Sequence, residues 1–390
     1  MEDDVEVFTK DFGFDLPTKI EFGIGKINTL KEKLKRYGIE RPLVVTDEGI
    51  KKAGILEEMK QELDEIDHKI FDGVEANPKD VNVEEGAEFA KEFEPDGIIA
   101  VGGGSPIDTA KGINVLLSEK AETVRGFYGK DTMEENSLPF IAIPTTSGTG
   151  SEVTFSAVIT DTEYDQKRSL RSVKLAPNLA ILDPELTETL PESLTAYSGM
   201  DAFTHAIEAY TAKTATPLTD SLALHSMQLI VDHLPRAVDE PDDMEARSAM
   251  LLASTLAGIS FNNSDVASVH CMAEALGGRY DAPHGLCNSI ILPYVMDYNK
   301  EYCEEKYARV AELMGYSFQD TEKGTKKAVE GVRKLNEEIG IPFIDETGLK
   351  ESDIEMLAET SAKNLSNESN PRPMDKKDYV ELFDRMVKDR

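Results

Sequence analysis

At 390 residues the chain exceeds one average domain, and a hydrophobic share of 40% supplies the core of two. Acidic residues outnumber basic ones by 74 to 42, a net charge of −32, so the surface repels nucleic acid and anionic membrane, and neither is an expected partner. No apolar run is long enough for a bilayer, the acidic start Met1-Glu2-Asp3-Asp4 is wrong for a secretory signal, and Cys271, Cys287 and Cys303 form no CxxC pair. A cytoplasmic chain with small buried thiols is the expectation. The acid is spread along the chain rather than gathered in one tail, which suits a cytosol crowded with salt, where screening suppresses self-repulsion.

In chain order, Lys19–Phe22 reads as a short strand, Ile27–Tyr37 as a helix stopped by Gly38, and Pro42–Thr46 as a buried strand closed by Asp47. A helix around Ala53–Leu63, a strand at His68–Phe71, a helix over Val81–Phe93 and a strand at Gly97–Val101 follow. Strands alternating with helices at this spacing predict an α/β domain with a doubly wound parallel sheet. Phe140–Ile143, Val158–Thr160 and Ala180–Leu182 read as further strands, and Asp183-Pro184 closes this half.

Two loops and one strand end carry its chemistry. After the Gly97–Val101 strand comes Gly102-Gly103-Gly104-Ser105-Pro106-Ile107-Asp108, where glycines let a backbone approach a phosphate. Ser105 as N-cap, Pro106 at the first helical position and Asp108 three residues on predict a helix start there, and a helix N-terminus is a ready anion site. The run is neither a P-loop nor GxGxxG. The second loop, Pro144-Thr145-Thr146-Ser147-Gly148-Thr149-Gly150-Ser151-Glu152, is rich in hydroxyls able to bond a polar ligand. Loops at the carboxyl ends of parallel strands line one crevice, where such folds bind ligands. Asp47, also at a strand end, is suited to accept from the hydroxyls of an adenosine ribose and to repel a 2′-phosphate, which favours NAD, with NADP possible.

From Pro191 the pattern turns helical, placing the boundary near Thr189: an α/β domain over 1–189 and an all-helical domain over 190–390. The helices read Ser193–Ala212, Leu218–His233, Met244–Ile259, Val266–Leu276 ended by Gly277-Gly278, His284–Tyr294, Glu305–Met314, Gly324–Ile339, Ile354–Leu365 and Lys377–Lys388. Asp201 and His205 lie four apart and share one helix face. His270 sits in the next motif, Ser268-Val269-His270-Cys271-Met272-Ala273-Glu274, and His284 follows Pro283 in a natural first-turn position. Three of the six histidines fall in this stretch. One carboxylate and three imidazoles form a set suited to Fe²⁺ or Zn²⁺.

The glycine run, the run Pro144–Glu152, Gly199-Met200-Asp201-Ala202-Phe203-Thr204-His205-Ala206-Ile207-Glu208, then Val269-His270, Pro283-His284-Gly285 and Asn370-Pro371-Arg372 together resemble the iron-activated alcohol dehydrogenase family, over nearly the whole chain and in order. The resemblance implies a dinucleotide-binding α/β domain, a helical metal-binding domain and a site in the cleft between them. It implies one divalent ion on Asp201, His205, His270 and His284, and cofactor contacts from Asp47, Gly103, Gly104, Ser105, Thr145, Thr146, Thr149 and Lys167, with Gly102, Asp108 and Ser147 in the same loops. It implies a small alcohol or aldehyde as substrate and a homo-oligomer, a dimer or larger. Glu274 departs from the pattern: many members carry a histidine there, thought to relay protons, and Glu274 suits a proton relay, a partner orienting an imidazole, or a surface charge. The rival readings are a glycerol or polyol dehydrogenase, a metal- and NAD-using sugar-phosphate cyclase like the dehydroquinate synthases, and a nucleotide-sensing protein with no need of four converging ligands.

Overall fold

The computed structural model describes residues 11–164 and 166–389. The chain forms two compact units, one spanning Leu16–Leu190, the other built from Pro191 onward and including residues 11–15. In the second, the Asp15 N–H donates to Asn263 Oδ1 at 2.6 Å.

In the first unit β1 (Lys19–Phe22), β2 (Pro42–Asp47), β3 (Lys69–Val74), β4 (Gly97–Gly102), β6 (Phe140–Pro144) and β9 (Leu179–Leu182) make a six-stranded sheet ordered β1-β9-β6-β4-β2-β3, parallel throughout. The four inner strands are almost wholly buried, as a parallel sheet covered on both faces requires. Successive strand residues go to opposite cores. Ile98, Ala100, Phe140 and Ala142 pack with Val83, Ala87, Ile107 and Ile113. Ile99, Val101, Ile141 and Ile143 pack with Leu30, Leu34, Ile55 and Met59. The former group comes from α4 (Asp80–Lys91) and α5 (Gly104–Glu119), the latter from α1 (Leu30–Tyr37) and α3 (Ile55–Leu63). The sheet is therefore doubly wound.

Local signals are refined at several points. The first helix begins as a 3-10 turn, Lys26–Thr29, before α1, and ends at Gly38 in the left-handed region (φ 69°) as foreseen. The helix around Ala53–Leu63 is two: α2 (Glu48–Lys52), N-capped by Asp47, then α3 after Gly54 at φ 83°. A second, three-stranded sheet of β5 (Gly129–Lys130), β8 (Gln166–Arg171) and β7 (Ser156–Asp161) was only partly foreseen. The sequence Gln-Lys-Arg-Ser-Leu-Arg of β8 has no apolar alternation because only Leu170 is buried.

The second unit holds α6 (Glu192–Thr211), α7 (Pro217–Asp239), α8 (Met244–Asn263), α9 (Ser268–Tyr280), α10 (His284–Asn299), α11 (Glu304–Leu313), α12 (Thr321–Glu338), α13 (Ile354–Lys363) and α14 (Lys376–Lys388). Every residue of α6 from Gly199 to Thr211 is buried, polar ones included, so this helix runs through the core. One expected stop fails. Helix α9 continues through Gly277 and Gly278 and ends where Asp281 takes φ 55° and its N–H reaches Gly277 O. Interior glycines cost about 1 kcal/mol each, which the packing of a largely buried helix offsets. Likewise α7 and α10 pass Pro235 and Pro293 and run beyond their expected ends at His233 and Tyr294.

Candidate functional sites in the two units

Three helices deliver one donor each to a single point in the second unit. Asp201 lies midway along α6, His270 in the first turn of α9, and His284 is the first residue of α10, after Pro283 at the N-cap. Asp201 Oδ1 is 4.0 Å from His270 Nε2 and 3.7 Å from His284 Nε2, and donor atoms of these residues all lie within 4.8 Å of one another. Among the described residues this is the group able to hold a metal ion. Gly285 permits the approach: a Cβ there would run into the carbonyl oxygen of Tyr197 on α6 and lie 3.3 Å from Asp201 Cβ. His205 shares the Asp201 face of α6, its ring stacked between Phe261 (4.3 Å) and His270 (4.5 Å) rather than within the three-donor group.

The side-chain amide of Asn288 shows what this pocket suits. Its Nδ2 lies 2.6 Å from Asp201 Oδ1, 3.2 Å from His270 Nε2 and 3.1 Å from His284 Nε2. An amide nitrogen carries two protons, so it cannot satisfy three acceptors at once. Converging acceptors of the N and O type, separated by about the spacing of donors around a tetrahedral ion (~3.4 Å), fit a divalent cation. Burial opposes ionisation of Asp201, but the neighbouring His205, His284 and His270 and the Asn288 amide outweigh it and hold the carboxyl below its ordinary range. For His270, burial disfavours the charged form, and Glu208 with the Asp201 and Glu274 carboxylates more than reverses that.

Glu208, three residues beyond His205 on α6, was not singled out from the sequence, yet it accepts from His270 Nδ1 at 2.6 Å. Asn288, four beyond His284, was also missed. Both could have been noticed as polar residues at helical spacing from a proposed ligand. Glu274 lies one turn beyond His270, partly buried, and accepts from Asn364 Nδ2 at 2.6 Å. The contact to His270 Nδ1 that one of its three suggested roles calls for is made by Glu208 instead.

In the first unit, neighbouring strands bring the two expected loops together. Strand β4 pairs with β6, and the Thr145 N–H donates to Gly102 O at 3.0 Å. Gly102 has φ 145°, open to glycine alone, and a Cβ on Gly104 would lie 2.7 Å from Thr149 Cγ2. Gly103, Gly104, Ser105, Thr146 and Thr149 are partly exposed, while Gly102, Thr145 and Ser147 are buried. The helix start differs from expectation. Helix α5 begins at Gly104 with Gly103 as N-cap and no side-chain cap, so Ser105 and Pro106 lie inside its first turn. Asp108 turns inward instead, accepting from the Val158 N–H at 2.9 Å.

Behind this turn stands a fully buried lysine. Lys111 Nζ donates to Ser151 O (2.8 Å), Thr154 Oγ1 (2.9 Å) and Ser156 O (2.7 Å), and lies 3.7 Å from Asp108 Oδ1. Burial pushes its pKa down to about 8 in spite of Asp108 and Glu152. It ties α5 to the end of the threonine loop. Asp47 caps α2, accepting from Ile50 N at 3.0 Å, and stands on β2 beside β4. Lys167, on β8, donates to Asn77 Oδ1 at 2.8 Å in the loop after β3.

Residues 17–184 match the iron-containing alcohol dehydrogenase family, and residues 195–387 match the Fe-containing alcohol dehydrogenase family, C-terminal. The chain belongs to the iron-containing alcohol dehydrogenase family. It is 38% identical over 375 residues to an NAD-dependent methanol dehydrogenase of Bacillus methanolicus, covering 95% of this chain and 98% of that one. A crystal structure of a 1,3-propanediol oxidoreductase superposes with TM-score 0.93 at 38% identity, covering 97% of this chain and all of the other. The archaeal halo-thermophilic Red Sea brine pool alcohol dehydrogenase ADH/D1 superposes with TM-score 0.90 at 32% identity, covering 96% and 99%. As a member of this family the chain is a metal-dependent oxidoreductase acting on CH–OH groups, an alcohol dehydrogenase or aldehyde reductase, which decides against the cyclase and sensor alternatives. Cys271, Cys287 and Cys303 are buried and form no disulfide, as anticipated. Among the described residues no helix is long and apolar enough to cross a membrane.

Proposed function

We propose that the chain interconverts small primary alcohols or diols and their aldehydes with NAD(H), using one Fe²⁺ or Zn²⁺ on Asp201, His205, His270 and His284, as a cytoplasmic homo-oligomer adapted to salt. The observation that carries this reading is the convergence of Asp201 Oδ1, His270 Nε2 and His284 Nε2 from three separate helices. A divalent cation supplies Lewis acidity toward an alcohol or carbonyl oxygen, and a nicotinamide supplies the hydride acceptor or donor. The chain's own part is electrostatic and steric. Asp201 is buried in the core with its carboxyl held below the ordinary range, and the Nε2 atoms of His270 and His284 approach it to 4.0 and 3.7 Å. Alcohol oxidation also releases a proton. Glu274, the only acidic residue of α9, stands partly exposed one turn from His270 and is suited to lead it toward solvent.

The nucleotide reading rests on the Gly103–Ser105 turn, where a Cβ would fill the cradle, with Thr145, Thr146, Ser147 and Thr149 beside it. The Asp47 carboxylate at the end of β2 repels a 2′-phosphate, which favours NAD over NADP, in accord with the NAD-dependent methanol dehydrogenase relative. Lys167 is the least supported contact, being bonded to Asn77. The net charge of −32 supports the salt reading, and a halo-thermophilic structural relative agrees with it.

His284→Ala tests the reading. Metal content, NADH affinity and turnover of an alcohol, diol and aldehyde panel are measured with both cofactors, in molar and in dilute KCl. The parent is expected to retain one ion per chain and to lose activity in dilute buffer. The variant is expected to lose ion and turnover while binding NADH nearly as before. Equal metal content in both proteins overturns the site, and full activity of the parent at low ionic strength overturns the salt adaptation.

A further inference from the structure

We propose that Glu208 is the positioning residue of the metal centre: its carboxylate holds the proton of His270 on Nδ1 and so keeps the Nε2 lone pair turned toward Asp201 and His284. This inference rests on the metal reading above and adds to it a residue outside the four ligands.

Glu208 is buried on α6, on the face that also carries Asp201 and His205. Its two oxygens serve three donors. Oε1 accepts from the Val269 N–H at 2.6 Å; Oε2 accepts from the Ala267 N–H at 2.9 Å and from His270 Nδ1 at 2.6 Å. The first two are orphan N–H groups at the start of α9, whose N-cap residue Ala267 has no side chain able to cap. A carboxylate from another helix therefore does the capping, at the end of α9 where negative charge is favoured. Because His270 lies in that same first turn, one group sets both where α9 starts and how the ring is turned.

The chemistry demands an acceptor on the Nδ1 side. A neutral imidazole has one N–H and one lone pair, and the hydrogen bond made by one nitrogen dictates which the other presents. An ionised carboxylate only accepts, so facing Glu208 the ring must place its proton on Nδ1. Glutamine at 208 has nearly the same shape but brings an NH₂ group. That group can donate to Nδ1, which admits the opposite tautomer, with Nε2–H aimed at the other ligands and no lone pair left for a cation. Such partners of metal-bound histidines commonly change affinity by about 10–100-fold.

Glu208→Gln and Glu208→Asp separate orientation from mere helix capping. The affinity of the metal-stripped protein for Zn²⁺ is measured by chelator competition, the ligand field by the Co²⁺ absorption spectrum, and the apo thermal midpoint separately. The expectation is that the Gln variant loses about 10–100-fold in Zn²⁺ affinity and shows an altered Co²⁺ spectrum. The Asp variant, still acceptor-only, retains more affinity than Gln. Parent-like Zn²⁺ affinity in Gln, with only a lowered apo midpoint, makes Glu208 a cap and overturns the inference. So does an Asp variant that binds no better than Gln, and this comparison stands even if Gln folds poorly. A parent that takes up neither ion sinks the metal reading itself, a distinguishable result.

Discussion

The two units solve the problem of binding in opposite ways. In the α/β unit the surface proposed to face the nucleotide is backbone: glycines at the end of β4, the first turn of α5, and a threonine loop after β6, with the charged side chains Lys111 and Asp108 buried behind it. In the helical unit the binding groups are side chains, and a glycine only lets their helices meet. A backbone site is written in consecutive residues because neighbouring N–H groups are neighbours in sequence. A side-chain site on helices gathers its donors from several helices, so its members are scattered and use an interior partner such as Glu208 to orient them. The same residue type consequently has opposite duties: Gly104 makes room for the Thr149 side chain of the neighbouring loop, Gly285 makes room for another helix.

The sharpest way to break this comparison is Gly285→Ala. The added methyl meets the backbone carbonyl of Tyr197, which has no rotamer to escape into. Overpacking of this kind costs about 1–3 kcal/mol. The expected result is a lower thermal midpoint with lost metal binding, because α10 must move and carry His284 away from Asp201; calorimetry and metal analysis check it. Unchanged metal content would show that the helices are not held by that contact.

Gly104→Ala is the counterpart in the other unit, with a smaller expected effect. Its methyl meets the Thr149 side chain, which can partly yield. NADH affinity is expected to fall about 10-fold, near the low end of an overpacking cost, with metal content and Zn²⁺ affinity unchanged. Fluorescence titration of NADH reads the effect. If metal binding fell with it, the two sites would not be separable as described.

The smallest effect belongs to a residue of neither site. Glu21 on β1 accepts from Lys19 at 2.6 Å and faces Lys33 at 2.9 Å. These partners lower its pKa from 4.5 to about 2. A carboxyl whose folded value is depressed adds stability above its unfolded pKa and loses it on acidification. Glu21→Gln is therefore expected to lower the thermal midpoint slightly near neutrality, with the gap to the parent closing as pH falls from about 4.5 toward 2. NADH and metal binding should not move.

Much of this protein could be read from its residues alone. Apolar runs such as Leu43-Val44-Val45 and Ile98-Ile99-Ala100-Val101, closed by glycine or aspartate, placed the inner strands, because a strand buried on both faces must be continuously hydrophobic. The glycine turn and the spacing of Asp201 and His205 were equally plain, since both are local constraints. What tertiary structure alone decided is of another kind. Periodicity could not show that α9 runs through Gly277 and Gly278, because packing overrides the local cost of glycine. Ser105 lost the capping position since β4 delivers Gly103 there first. Asp108 reads in the sequence as part of the helix start in the glycine loop, yet it lies in the interior with Lys111, because only the fold brings Ser151, Thr154, Ser156 and Val158 to meet them. Glu208 and Asn288 gained their roles the same way: a hydrogen bond between residues 62 apart leaves no mark on either one's neighbours in the chain.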